Sequence, residues 1–229
     1  MKFLLDLFSL TLLRLKFIFF QYCNYFKIVQ KYYIHFKFFK IDSYLLLLYF
    51  FQNPFKISKK FLMSRNESEI YTYGETPLTA LQMIMEKCQL TADDVIFELG
   101  CGRARTCFWL NCFTSCRVIG VDFVPEFIHK AKQVKERFQL QNLEFRLEDF
   151  LKTDLDAGTV FYLYGICLSD PHIIKLVKRF KKLPAGVKFI TMSYSLNEYH
   201  AQGNFFKILE VLELKFPWGI GTVYIQEKI

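Results

Sequence analysis

The first 62 residues of the chain lack glycine, alanine and glutamate altogether, although they hold 13 of its 27 phenylalanines. The apolar run at the start of the chain is not followed by the small-residue cleavage site that ends a secretory signal peptide. Asp6, Arg14 and Lys16 interrupt this run, and a membrane-spanning helix needs about 20 mostly apolar residues. Two interpretations remain open: an aromatic, basic segment that lies on a membrane surface, or translated A/T-rich DNA ahead of a natural start at Met63.

The rest of the chain lacks a net charge. Residues 1–62 contain ten Lys or Arg and two Asp, which accounts for the whole net charge of +8 and leaves residues 63–229 with equal numbers of basic and acidic side chains. A neutral domain gives no support for a nucleic-acid-binding face. We therefore treat residues 63–229 as one domain and expect no specific nucleic-acid binding by it.

The seven cysteines lack any C-x-x-C spacing, and their number is odd. A disulfide framework is therefore not expected, and reduced thiols in the cytoplasm are the default. Cys107, Cys112 and Cys116 lie near one predicted helix, and we interpret them as buried small hydrophobic residues and not as metal ligands. The sequence predicts no metal site.

Short apolar runs alternate with amphipathic helices from residue 76 onward, without an internal repeat. Strands are predicted at 95–99, 117–122, 143–147, 159–164, 187–195, 205–216 and 220–229, and helices at 76–88 (with Thr76 as its cap), 104–114, 124–138 and 170–182. Strands that alternate with helices form an open, mostly parallel sheet. The sequence thus predicts an α/β fold: a Rossmann-like seven-stranded sheet with one antiparallel edge strand and helices on both faces.

A small-residue turn follows the first of these strands, in "ELGCGRARTCFWL" (98–110). Gly100 and Gly102 can adopt backbone angles closed to other residues, and they remove side chains that would keep a ligand from the backbone. Ligands of such sheets bind at the carboxyl ends of the strands. Position 105 is arginine, so the turn departs from the G-x-G-x-x-G pattern of dinucleotide-binding proteins.

Three acidic residues follow three successive strands. Asp122 stands 20 residues after Gly102, where a carboxylate can accept hydrogen bonds from ribose hydroxyls. Asp149 is placed to accept from an adenine amine, Phe150 to pack on the purine, and Glu98 to serve a positive amino group. These acids predict a site for S-adenosylmethionine, a cationic adenosine derivative without phosphates; the alternative is that they only cap helices.

The motifs "FELGCGRA" (97–104), "IGVD" (119–122) and "LEDF" (147–150) resemble those of class I S-adenosylmethionine-dependent methyltransferases. Residues 71–102 are similar to the entry of the non-SET histone-lysine methyltransferases, the family named for disrupting telomeric silencing. This resemblance implies that Tyr73, Glu75 and Thr76 close on the methionine end of the cofactor. It also implies that Arg105 lies beside the small-residue turn that follows the first strand.

Residues 183–193 resemble the fifth-strand entry of small lysine methyltransferases of the ATP-synthase c-subunit type. One departure concerns the acceptor: Leu163 and Tyr164 stand where the telomeric-silencing family has asparagines. The resemblance implies in-line methyl transfer to a lysine side chain of a protein. An apolar aromatic wall would help the lysine to lose its proton, and its candidates are Tyr164 first, then Tyr73, Tyr194 and Tyr162.

Other functions remain open at this stage. The same fold could methylate a small molecule or a nucleic acid, although the neutral domain and the absence of an Asn/Asp-Pro-Pro-Tyr motif argue against bases. A non-catalytic cofactor-binding module, anchored to a membrane by residues 1–62, and a nicotinamide-dependent dehydrogenase are further alternatives. The sequence does not predict an oligomeric state.

Overall fold

The computed structural model describes residues 2–67, 69–166, 168–199 and 205–229. Within these ranges the seven strands are β1 (Val95–Leu99), β2 (Arg117–Asp122), β3 (Leu143–Leu147), β4 (Val160–Leu163), β5 (Lys188–Met192), β6 (Phe206–Phe216) and β7 (Gly219–Lys228). The helices are α1 (Lys2–Tyr32), α2 (Phe36–Leu48), α3 (Pro54–Ser64), α4 (Leu78–Lys87), α5 (Arg105–Phe113), α6 (Pro125–Arg137) and α7 (Asp170–Phe180). Every strand begins within one residue of its predicted start.

The strands form one sheet in the order β3-β2-β1-β4-β5-β7-β6. β1 pairs in parallel with β2 and β4, so that Glu98 lies between Gly120 and Tyr162. β7 runs antiparallel to β5 and to β6, which makes the outermost strand β6 parallel to the rest. The predicted fold is confirmed, and the reversed strand lies one place in from the edge.

Both faces of the sheet are covered by a hydrophobic core. On one face the buried side chains come from α4, α5 and α6, together with α1 and α2 of the N-terminal segment (residues 1–62), and partly buried Ile57 and Phe61 of α3 pack against them. On the other face they come mainly from α7 and from the ends of β5 and β6. The glycine turn follows β1, at the carboxyl ends of the parallel strands.

The N-terminal segment packs against the domain. Phe38, Ile41 and Leu45 of α2 are fully buried, and each contributes up to about 1.5–3 kcal/mol relative to an exposed position. Helix α3 continues through Met63. No described helix is both long enough and apolar enough to cross a bilayer. A natural start at Met63 stays the alternative to a native N-terminal segment, and the intact mass of the native protein decides between the two.

Thr76 and the cysteines occupy positions that differ in part from their predicted ones. Thr76 does not cap α4: the helix has Pro77 at its N-cap without a side-chain cap, and the Thr76 hydroxyl instead hydrogen-bonds to the hydroxyl of Tyr162. Cys107 and Cys116 are buried and Cys112 is half-buried. Cys167 lies outside the described residues.

Candidate functional site

The glycine turn joins β1 to α5 and is tied to the neighbouring strand. The amides of Gly100 and Cys101 donate to the Val121 carbonyl over 2.8 and 3.0 Å. Gly100, Gly102 and Ala104 have φ angles of +82°, +53° and +61°, a region that glycine enters without steric cost. A Cβ at Gly102 would also come within 2.9 Å of the Tyr73 ring. The turn therefore depends on glycine at position 102 for two reasons.

Asp122 holds the turn from the end of β2. Its Oδ2 accepts a hydrogen bond from the Gly102 amide (2.8 Å), and its Oδ1 accepts one from the Val124 amide (2.9 Å). Burial raises its pKa to about 6, although these amides lower it in part. Each carboxylate oxygen keeps a second lone pair. The structure shows that Asp122 anchors the glycine turn. Its contact with ribose hydroxyls stays a prediction.

Glu98 is buried at the end of β1 and points to α5. Its carboxylate accepts hydrogen bonds from the Thr106 hydroxyl and, over 2.8 Å, from the Cys107 thiol. Burial raises the pKa of Glu98 to about 7, and the two hydrogen bonds lower it only in part. Glu98 therefore keeps its proton to a higher pH than an exposed carboxyl group does.

The loop at residues 73–76 closes over the glycine turn through an ion pair. Glu75 Oε2 lies 2.6 Å from Nη2 of Arg103, and the Tyr73 hydroxyl donates to Glu75. Burial alone would raise the pKa of Glu75, but the Arg103 guanidinium and these hydrogen bonds hold it below its ordinary value. A carboxylate and a guanidinium thus face each other where an amino-acid zwitterion is predicted to bind.

Arg103 is a residue that the sequence analysis missed, although it stands inside the glycine turn. Arg105, predicted to sit beside the turn, is the first residue of α5. Its guanidinium forms a bidentate pair with Asp42 of α2. Asp42 was also missed, because nothing local in the sequence connects two residues 63 positions apart.

The acidic residue after β3 has a local role in the structure. Asp149 Oδ1 accepts a hydrogen bond from the Leu151 amide over 2.9 Å. The ring of Phe150 reaches the glycine turn, because a Cβ at Gly100 would lie 3.8 Å from its edge. Contacts of Asp149 and Phe150 with an adenine stay predictions.

A narrow pocket at the carboxyl end of β1 brings most of these residues together. Its lining consists of Tyr73, Gly74, Glu75, Thr76, Glu98, Gly100, Cys101, Arg103, Arg105, Thr106 and Tyr164. Asp122, Asp149 and Phe150 lie beside this lining and not in it. The pocket contains Tyr73, Glu75 and Thr76, which are predicted to close on the methionine end, and binding of a cofactor there stays a prediction.

The candidate tyrosines do not all meet at this pocket. Tyr164 packs on Gly74, where a Cβ would come within 2.6 Å of its ring, and Tyr73 packs on Gly102. Tyr162 is buried behind them with its hydroxyl bonded to Thr76. Tyr194 belongs to the core on the other face of the sheet. Of the predicted aromatic wall, Tyr73 and Tyr164 line the pocket.

The tip of the β6–β7 hairpin extends this wall. Trp218 stacks on Phe216 with ring centroids 4.8 Å apart and meets Tyr164 edge-on at 5.9 Å. Its side chain remains about half exposed. Trp218 is a further residue that the sequence analysis missed, since no local pattern links the hairpin tip to the end of β4.

The fold agrees with comparisons to known proteins. Residues 90–161 match the family model described as a methyltransferase domain. The RNA methyltransferase of Salinibacter ruber, solved with S-adenosyl-L-homocysteine, superposes with a TM-score of 0.56 at 20% identity, over 68% of this chain and 94% of that one. The chain has the class I S-adenosylmethionine-dependent methyltransferase fold.

Other proteins with the class I methyltransferase fold differ widely in their substrates. The geranyl diphosphate C-methyltransferase of Streptomyces coelicolor, also solved with S-adenosyl-L-homocysteine, superposes with a TM-score of 0.56 at 12% identity, over 67% of this chain and 76% of that one. Both neighbours were solved with S-adenosyl-L-homocysteine, which agrees with the prediction of S-adenosylmethionine as the cofactor.

Two curated methyltransferases are similar in sequence. The H3 lysine-79-specific histone-lysine N-methyltransferase of Dictyostelium discoideum is 27% identical over 156 residues, which is 62% of this chain and 8% of that protein. The sterol 24-C-methyltransferase of Saccharomyces cerevisiae is 26% identical over 123 residues, 52% of this chain and 32% of that protein. The chain spans about a third or less of the length of these relatives.

Proposed function

We propose that the protein is an S-adenosylmethionine-dependent methyltransferase that methylates a lysine side chain of a protein substrate. The observation that carries the proposal is the pocket in which the loop at 73–76 and Tyr164 meet the glycine turn. The resemblance of residues 71–102 to the non-SET histone-lysine methyltransferases supports it. So does the similarity to a histone-lysine methyltransferase.

The cofactor would be held by charged side chains and by glycine backbone that carries no side chain. Glu75 and Arg103 are complementary to the ammonium and carboxylate of the methionine end, and Gly100 and Gly102 leave the backbone open to the ligand. Asp122 keeps the turn in place through the Gly102 amide. When bound, the cofactor supplies a methyl group on a sulfonium, which is the electrophile of the reaction.

The acceptor end of the site would be the aromatic wall of Tyr73, Tyr164 and Trp218. A free lysine has a pKa near 10.4, so only on the order of one molecule in a thousand is neutral at pH 7. An apolar wall disfavours the ammonium form and helps the amine to release its proton. The site would then hold the neutral nitrogen in line with the methyl group, and this positioning itself lowers the activation barrier.

A small-molecule substrate is the second candidate. The exposed ring of Trp218 beside Tyr164 offers a flat apolar surface, and sterol methyltransferases are among the relatives. Leu163 and Tyr164, where the telomeric-silencing family has asparagines, leave this alternative open.

One labelling experiment separates the two substrates. The protein is incubated with cell lysate and radiolabelled S-adenosylmethionine, and the products are divided into protein and lipid fractions. Lysine methylation predicts label in protein that is recovered as methyl-lysine after hydrolysis. Label confined to small molecules would contradict the lysine proposal.

Matched variants connect the label to this site. Asp122→Asn removes the charge that anchors the glycine turn, and we expect it to weaken cofactor binding by at least about tenfold in calorimetry. Asp156→Asn, on the exposed loop before β4, should leave both binding and labelling unchanged. Equal affinity in the two variants would mean that the nucleoside site is assigned to the wrong place.

A further inference from the structure

The N-terminal segment places a buried carboxylate next to the cofactor pocket. Asp42 of α2 is only 1% exposed. Its oxygens accept hydrogen bonds from Nε and Nη2 of Arg105 over 2.7 and 2.6 Å, and from the Tyr33 hydroxyl over 2.8 Å. This carboxylate is fully engaged, and its principal partner is a residue of the pocket wall.

The pair has the geometry of a strong contact. Two parallel N–H···O bonds join a planar guanidinium to a carboxylate, which gives direction as well as attraction. Burial on its own raises the pKa of Asp42, but Arg105 and Tyr33 bring it below its ordinary value. Asp42 is therefore charged throughout the neutral pH range, and the pair does not come apart by protonation.

Arg105 links this pair to the cofactor pocket. It is the first residue after the glycine turn, directly behind Ala104 with its φ of +61°, and it lines the same pocket as Glu75 and Glu98. Without Asp42, its guanidinium would either stay buried without a counter-charge or turn toward those two carboxylates. Both outcomes place an extra positive charge where a cationic ligand is to bind.

Two more side chains of the same segment reach the pocket. The ring of Tyr49 lies 5.9 Å from the guanidinium of Arg103, and the ring of Phe55 meets Tyr73 edge-on at 4.9 Å. The segment thus contacts Arg103, Arg105 and Tyr73, three residues of the pocket lining. Its contribution extends beyond the packing of α2 on the core.

We propose that Asp42 is a positioning residue for the cofactor site: it holds Arg105 against α2 and offsets its charge, so that the sulfonium cofactor meets no unpaired cation. This inference rests on the proposed function. It assigns the N-terminal segment an electrostatic role at the cofactor site, in addition to its contribution to the stability of the fold.

The test compares two ligands that differ by one positive charge. S-adenosylmethionine carries the sulfonium, and S-adenosyl-homocysteine has a neutral thioether in its place. Asp42→Asn leaves the shape nearly unchanged and removes the negative charge, so the ratio of the two dissociation constants, cationic over neutral ligand, should rise by about threefold to tenfold. Arg105→Gln removes the positive charge, and the same ratio should fall.

Opposite shifts in the two variants are the signature of a charge effect. A role in folding alone would weaken both ligands together and move both variants in the same direction. The double variant Asp42→Asn/Arg105→Gln restores neutrality, and its ratio should return close to that of the unmodified protein. If Asp42→Asn fails to fold, Arg105→Gln and the double variant still carry the test.

Asn53→Ala serves as the matched control within the segment. It removes the N-cap of α3, where the Asn53 side chain accepts from the Phe55 amide, and lowers stability without touching Arg105. Its ligand ratio should equal that of the unmodified protein. An unchanged ratio in both Asp42→Asn and Arg105→Gln would overturn the inference. Absence of binding by the unmodified protein would contradict the proposed function itself, and the inference with it.

Discussion

Glu98 is buried at the end of β1, and burial raises its pKa to about 7 from an ordinary value of 4.5. The folded protein therefore holds this proton more tightly than the unfolded chain does. A group of this kind contributes stability at low pH that is lost as the pH rises through its folded-state pKa. Asp122 acts in the same direction between pH 3.8 and about 6.

We predict that the unliganded protein loses about 2–3 kcal/mol of unfolding free energy between pH 4.5 and 7 through Glu98. Glu98→Gln removes the titration, so its stability should fall less over this interval. Urea unfolding at pH 5 and pH 7.5 measures the difference. Asp156→Asn is the control and should follow the unmodified protein. The same slope in Glu98→Gln would contradict the assignment of the raised pKa.

Arg103 forms an ion pair with Glu75 in the part of the pocket that is predicted to hold the methionine end. Arg103→Gln should weaken binding of S-adenosyl-homocysteine by about tenfold or more, since a hydrogen bond to a charged group is worth about 1.5–3 kcal/mol. Methylthioadenosine has no amino-acid end, so its affinity should change little. Calorimetry with both ligands measures the two losses.

Arg65→Gln is the matched control for Arg103→Gln. Arg65 pairs with Glu67 on the surface, where its side chain is 54% exposed, and such a pair contributes little. Both ligands should bind this variant as they bind the unmodified protein. Equal losses of the two ligands in Arg103→Gln would show that Arg103 supports the turn and does not contact the carboxylate.

At the level of elements, the tip of the β6–β7 hairpin supports the acceptor wall. Trp218 stacks on Phe216 and meets Tyr164 edge-on, and aromatic pairs of this kind contribute about 0.5–1.5 kcal/mol beyond area burial. Trp218→Ala should lower kcat/KM for the methyl acceptor by about tenfold, since Tyr164 loses its neighbour. The affinity for S-adenosyl-homocysteine should stay unchanged.

Ile220→Ala is the control on the same hairpin, because Ile220 is 67% exposed. It should leave both constants unchanged, and steady-state kinetics with calorimetry measure them. A loss of cofactor affinity in Trp218→Ala, equal to the loss of kcat/KM, would place Trp218 with the cofactor and not with the acceptor.

The strands could be predicted from the sequence because their local pattern matches their final environment. The runs at 95–99 and 117–122 are buried on both sides of a parallel sheet, whereas 143–147 alternates buried and more exposed side chains at the sheet edge. The bounds of all three agree with the structure. The same holds for the glycine turn, because glycine adopts the positive φ angles at positions 100 and 102 without steric cost. The prediction of Thr76 as a helix cap was wrong because a tertiary partner, Tyr162, takes its hydroxyl.

The rest of the site depends on contacts between residues that are distant in sequence. Asp42 and Arg105 are 63 positions apart, and Trp218 reaches Tyr164 from another strand pair. Residues 1–62 are rich in apolar and aromatic side chains, so that their sequence pattern does not show which side chains face the domain. The three helices and their buried faces follow only from the packing.

At the scale of the whole molecule, charge and apolar surface are both unevenly distributed. All of the net charge of +8 lies in residues 1–62, and α1 exposes Leu15, Phe19, Tyr22 and Phe26. These residues recur every three or four positions, so they share one face of the helix. Cytoplasmic localisation, with attachment to a membrane surface through residues 1–62 as the alternative, stays a prediction.

We predict that the protein binds vesicles containing anionic lipid more strongly than vesicles of neutral phosphatidylcholine. Each lysine near an anionic surface contributes about 1 kcal/mol, and the attraction falls within a Debye length of about 10 Å at 0.1 M salt. Binding should therefore weaken steeply as salt is added. Co-sedimentation across a series of salt concentrations measures it.

Phe19→Ser combined with Phe26→Ser tests the apolar part of this prediction, because the two rings are 71% and 61% exposed. Removing both should reduce vesicle binding by at least about tenfold, given the apolar area that no longer enters the membrane. Leu209→Ser, on exposed β6, is the control and should bind as the unmodified protein does. If anionic and neutral vesicles bind equally at low salt, or if neither binds, the membrane alternative is wrong and the charge of the segment requires another explanation.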